Sequence, residues 1–176
     1  MNAFWKLTAV SAVTAIMLLP SSTFAQDEDQ NVVEWPSIVG VITSQGVNNP
    51  VSNHINSGTF AWSVRSGHAR INLETGRASF EVEGLVINGT SFSGTPGPIT
   101  SVTGALVCNA GTNTEVTHDT PPVALSSRGT ARFSGHLANR PIACGNPLFL
   151  IRIAVPAEAA GRWIATGAQR FFSDSD

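Results

Sequence analysis

Two short alternating segments joined by a glycine turn do most to limit what this chain folds into. In Ala69-Arg70-Ile71-Asn72-Leu73 apolar side chains take every second place, and Arg77-Ala78-Ser79-Phe80-Glu81-Val82-Glu83 repeats the pattern. Successive side chains on a strand point to opposite faces, so a period of two buries one set and wets the other. Glu74-Thr75-Gly76 lies between the segments and supplies the glycine of a tight connection, so the pair reads as a β-hairpin. Its inner face carries Ala69, Ile71, Leu73, Ala78, Phe80 and Val82. Its outer face presents Arg70, Asn72, Glu81 and Glu83 to water.

The rest of the chain carries the same kind of signal. From Trp35 onward no stretch of about twelve residues free of Gly and Pro places apolar residues at i, i+3, i+4 and i+7. Residues 37–43 are a β-branched run, 45–57 a polar loop rich in Asn, and 59–64 a short strand. Residues 85–87 continue the second strand of the hairpin until Asn88-Gly89 breaks it. Residues 99–108 read as an internal strand, and 115–120 pair back. Residues 130–137 alternate again, with Ala131, Phe133 and Leu137 inward. Residues 148–155 are the most hydrophobic strand, interrupted only by Arg152, and 162–172 form the last, with Trp163, Ile164 and Phe171. The expectation is an all-β fold of about eight antiparallel strands, which close their core as a sandwich or a barrel. Several connections are long enough to cross between sheets, which favours the β-sandwich. Residues 35–173 would form this single domain.

The first 25 residues have the three parts of a secretory signal peptide. Lys6 supplies the positive region, residues 7–19 the apolar run, Pro20-Ser21-Ser22 the break, and Thr23-Phe24-Ala25 the small residues of a cleavage site. The apolar run is too short for a membrane span, which needs about 20 residues. We therefore expect cleavage after Ala25 and a secreted or periplasmic mature chain with no membrane span. Residues 26–34, with Asp27, Glu28, Asp29 and Glu34, read as an acidic flexible tail.

Export places the two cysteines in an oxidising compartment, where a pair normally bonds. Cys108 and Cys144 would close a loop of roughly 36 residues, contributing on the order of 4 kcal/mol through the unfolded state. No CxxC and no ligand-spaced His or Cys points to redox or metal chemistry, so the metal and cofactor expectation is none.

Charged residues are 12% of the 176, about half the usual share near 25%. Hydrophobic content stays at 42%, which argues against disorder. Lys6 is the only lysine. The domain body, residues 35–173, holds nine Arg against six acids and is mildly basic. That falls far short of the clustered Lys and Arg of a nucleic-acid binder. Nor does the chain display conventional catalysis: there is no GxSxG elbow, and Gly89-Thr90-Ser91-Phe92-Ser93 lacks the second glycine. His54, His68, His118 and His136 are scattered, and only His118 adjoins a carboxylate, Asp119, which strand geometry sends to the opposite face. Sugar-stacking modules use exposed Trp and Tyr. Here Tyr is absent, Trp163 reads as core, and Trp35 and Trp62 are the candidates for exposure, although each also flanks a strand where it would cap the core.

If the strands that include residues 67–73 and 129–137 lie in one sheet with Ala69, Ile71, Ala131 and Phe133 inward, His68, Arg70, Arg132 and His136 share its outer face. Arg presents a planar fork suited to carboxylate, sulfate or phosphate. An acidic polysaccharide or an acidic protein segment is the expected partner, with the chain's own acidic tail as an internal competitor. The alternative is an ordinary solvated face.

Several segments resemble a group of uncharacterised secreted bacterial proteins of similar length. They are residues 69–84 with Gly84-Leu85, Gly94-Thr95-Pro96-Gly97-Pro98, Val107-Cys108, Val123-Ala124-Leu125 to Gly129, and Pro147-Leu148-Phe149-Leu150-Ile151-Arg152 followed by Gly161-Arg162-Trp163-Ile164-Ala165. The resemblance implies an all-β frame with two spaced cysteines and no particular activity. A more distant likeness, through Gly-x-Ala-x-x-x-Leu followed by Gly-Leu, is to CHRD domains, whose His-Ile-His motif this chain lacks. The expected function is thus that of an exported, non-catalytic module acting by binding or structural association. A secreted carbohydrate-binding module and a hydrolase with a loop-built site are the rivals.

Overall fold

The computed structural model describes residues 31–44, 46–141 and 143–169. The expected leader, residues 26–30 of the expected tail and Phe171 lie outside the described residues. Twelve strands follow in chain order: β1 Val32–Trp35, β2 Ser37–Gly40, β3 Ala61–Ser63, β4 Ser66–Asn72, β5 Arg77–Glu83, β6 Val86–Asn88, β7 Ser101–Cys108, β8 Val116–Asp119, β9 Val123–Ala124, β10 Ala131–His136, β11 Leu148–Val155 and β12 Trp163–Ala168. A single 3-10 turn spans Ala157–Ala159. The expected all-β class is what the chain adopts, with every strand pair antiparallel.

The hairpin is β4–β5, paired Ala69 to Phe80 and Ile71 to Ala78. Its turn holds Gly76 at φ +72°, a conformation that costs glycine little. The Asn72 side-chain oxygen accepts the backbone N–H groups of Glu74 and Thr75 at 3.0 and 2.8 Å. With β1 and β10 on its flanks the hairpin makes a four-stranded sheet in the order β1-β4-β5-β10. The second sheet runs β2-β12-β11-β7-β8, with β9 also on β7. The sheets face each other as a sandwich joined at both margins. At one margin the chain switches sheets between β1 and β2 across Pro36. At the other, just beyond β10, the Ala138 N–H donates to the Asp119 carbonyl at 2.7 Å.

Apolar side chains from both inner faces meet between the sheets. Phe80 of β5 packs against Phe149 of β11 and Phe133 of β10, with centroid separations of 5.7 and 6.0 Å, and Trp35 lies 5.6 Å from Phe149. Gly104 of β7 makes room for this cluster, since a Cβ there would stand 2.7 Å from a Phe80 ring carbon.

Three expectations need correction. Residues 32–34 are not flexible tail: Val32 to Trp35 pair with β4 from Asn72 to Ala69, because Trp35 is fully buried and anchors the segment. Residues 85–87 do not continue β5. Gly84 at φ +66° turns the chain, the Leu85 N–H donates to the Gly129 carbonyl at 2.9 Å, and β6 pairs instead with β3 as a separate two-stranded ribbon. Among the described residues the strands number twelve, the unforeseen ones being the short β1, β6 and β9.

The second sheet has a cover. In β7 everything from Gly104 to Cys108 is buried, so both faces are shielded. The loop after β2 lies over the outer side. Trp163 donates from its ring nitrogen to the Asn49 carbonyl at 3.0 Å and from its backbone to Asn56 at 3.1 Å. Farther along, Ser52 donates to the Glu115 carboxylate at 2.9 Å. The Cys108–Cys144 disulfide forms as expected and ties the end of β7 to the segment following β10.

Candidate functional site

Among the described residues nothing covers the outer face of the four-stranded sheet, and all four expected residues lie on it. His68 and Arg70 come from β4, Arg132 and His136 from β10, and each is exposed. They do not touch as one cluster, because β5 runs between their strands. His68 and Arg132 both face Glu81 across their ladders, Arg70 faces Ser79, and His136 faces Arg77.

This register sets the electrostatics. Arg132 reaches Glu81 at 2.7 Å and Glu83 at 3.4 Å, and Arg65 reaches Glu83 at 2.9 Å. The Arg65 guanidinium, by hydrogen bond and charge, holds the Glu83 carboxyl below its ordinary value of 4.5, with a smaller contribution from Arg132. Arg70 pairs with Glu34 of β1 at 2.6 Å. One residue of the expected tail therefore does fold back onto the expected arginine. These are exposed pairs, which contribute little to stability and leave Arg132 partly neutralised.

Arg77 is the residue that sequence reasoning missed. It begins β5 with the same parity as Ser79 and Glu81, so alternation alone was enough to place it outward. Among the described residues it forms no ion pair. With Arg70, Asn72, Ser79, Ser134 and Val32 it lines a shallow hollow of about 300 Å³ on this face, and no acidic side chain among the described residues is part of that lining. The hollow thus presents the Arg77 guanidinium beside the Ser79 and Ser134 hydroxyls, with Arg70 next to it already held by Glu34.

The other expected candidates fall elsewhere. Trp35, Trp62 and Trp163 are all buried, so the two tryptophans expected as candidates for exposure offer no open stacking platform. The His118 ring contacts the Asn139 carbonyl at 3.0 Å, while Asp119, on the opposite face, holds Arg152 at 3.1 Å. Among the described residues no His ring nitrogen bonds a Ser or Thr hydroxyl, and no three His, Cys, Asp or Glu side chains gather as metal ligands. No described helix is long and apolar enough to cross a membrane. Family models, curated proteins and solved structures were each compared with the chain, and none matches.

Proposed function

We propose that this chain is an exported, non-catalytic binding module whose uncovered sheet face holds an acidic polysaccharide. The hollow lined by Arg70 and Arg77 carries the reading, because the Arg77 guanidinium in it forms no ion pair among the described residues. Arg pairs with carboxylate and sulfate through parallel N–H donors. The Ser79 and Ser134 hydroxyls stand beside Arg77 as partners for sugar hydroxyls. The hollow is shallow and lies on a strand surface, which suits an extended polymer more than an enclosed small molecule. Export is supported by the composition of residues 1–25 and by the disulfide.

Retention on a dextran sulfate matrix at low salt tests this. Replacing Arg70 and Arg77 together by Ala should lower the salt needed for elution while changing stability by no more than about 0.5 kcal/mol. Arg128→Ala with Arg140→Ala, two exposed arginines outside the hollow, is the control for net charge. Equal losses in the control and the Arg70–Arg77 variant would overturn the reading. The E34Q change should increase retention, since Glu34 competes for Arg70.

A further inference from the structure

A second hollow, of about 290 Å³, opens between the β3–β6 ribbon and the 3-10 turn. Its chemistry is the reverse of the first. Phe60, Trp62, Ile87, Ile99, Ile153 and Pro156 give it apolar walls, and Glu158 and Arg162 put one charge of each sign at its edge.

Trp62 makes this more than a gap in the packing. The residue is 4% exposed. Among the described residues its ring N–H finds no acceptor, and among them no buried side-chain nitrogen or oxygen is sealed off without a partner. The N–H therefore keeps an opening, and Trp62 is one of the residues that line the hollow. The ring nitrogen lies 3.8 Å from where a Cβ on Gly58 would be, and Gly58 lines the same hollow. Trp163 shows the usual arrangement, with its ring N–H given to the Asn49 carbonyl. An indole donor buried among apolar groups normally has such a partner.

We infer that this hollow is a binding site for a small neutral molecule that combines a single apolar ring or short branched chain with one hydrogen-bond acceptor, received by the Trp62 N–H. The volume lies at the low end of the roughly 300–1,000 Å³ of small-molecule sites, so one ring fits and a folded segment does not. Opposite charges at the rim favour neither an anion nor a cation. A few placed polar groups in an apolar cavity fix orientation, and here the donor is that group.

Acetophenone supplies the ring and the carbonyl; ethylbenzene has similar bulk and no acceptor. Each is titrated into the full mature protein labelled with 15N, and the indole N–H resonances are followed, that of Trp62 being identified by its loss in Trp62→Phe. Acetophenone should shift the Trp62 resonance saturably, leave that of Trp163 in place, and bind at least fivefold more tightly than ethylbenzene. Ala159→Phe, which fills the hollow from the turn without altering Trp62, should abolish the shift while the remaining resonances stay native. An unmoved Trp62 resonance, equal affinity for the two probes, or a shift that survives Ala159→Phe would overturn the proposal. Because this site is separate from the Arg70–Arg77 hollow, Arg70→Ala with Arg77→Ala should leave the titration unchanged.

Discussion

The two sheets of the sandwich present very different outer surfaces. On the four-stranded sheet, β4 and β5 alternate strictly, with Ala69, Ile71, Phe80 and Val82 buried and His68, Arg70 and Arg77 in solvent. On the second sheet, Ala105, Val107 and Leu150 face away from the central core yet are fully buried, because the loop after β2 and its neighbours lie over them. A one-sided sheet places its polar side chains in solvent. A sheet shielded on both faces needs apolar residues at consecutive positions and contributes stability instead. Function in this molecule is therefore expected at the open face and at the sandwich end, and most of the stability beneath the cover.

The largest test of that division removes the disulfide. Replacing Cys108 and Cys144 by Ala should lower unfolding stability by about 4 kcal/mol, read from urea denaturation. Binding at the open face should persist in whatever fraction stays folded, since neither cysteine lies on that sheet. A loss of retention in fully folded variant would show that the two surfaces are coupled.

Next in size is a matched pair of truncations. Leu150→Ala, on the covered side, should cost about 2–5 kcal/mol, as a filled core position does. Arg132→Ala, on the open face, should stay within about 0.5 kcal/mol despite breaking contacts with Glu81 and Glu83. Comparable costs from thermal denaturation would mean that the cover does not behave as core.

The same contrast explains what could be read from the residues. The β4–β5 hairpin was legible because one-sided burial writes period two into the chain. β7 was legible as internal because two-sided burial leaves an unbroken apolar run. β1 was hidden: Glu34 and the acids before it outweighed the alternation of Val33 and Trp35, whose burial depends on Phe149, a residue distant in sequence. The four expected surface residues were correctly placed on one face, but their neutralisation was not foreseen. That Glu81 faces both His68 and Arg132 depends on the register of β10 against β5, which no local pattern specifies. The Trp62 hollow was equally out of reach, being assembled from four separate regions of chain, around residues 58–62, 87, 98–99 and 153–162.

The smallest effect separates the two surfaces by pH and salt. Glu83 on the open face and Glu115 under the loop both have carboxyls held below the ordinary value of 4.5. A group whose folded pKa is depressed contributes stability above its unfolded pKa, and that contribution is lost as pH falls through the folded value. Stability should therefore decline on acidification below about pH 4.5, and Glu83→Gln and Glu115→Gln should each make the decline shallower. The causes differ. Glu83 depends chiefly on Arg65, an exposed cation whose side chain is 74% accessible. Glu115 depends first on the Gly111 backbone N–H at 2.7 Å, then on the Ser52 hydroxyl, with His54 the least. Raising salt to about 0.5 M shortens the screening length to a few ångströms, which weakens exposed ion pairs far more than short hydrogen bonds. The share removed by Glu83→Gln should accordingly shrink in salt, while the share removed by Glu115→Gln should persist. If both fade together, the clip between Ser52 and Glu115 is no firmer than a surface ion pair, and the loop covers the second sheet by apolar contact and backbone bonds alone.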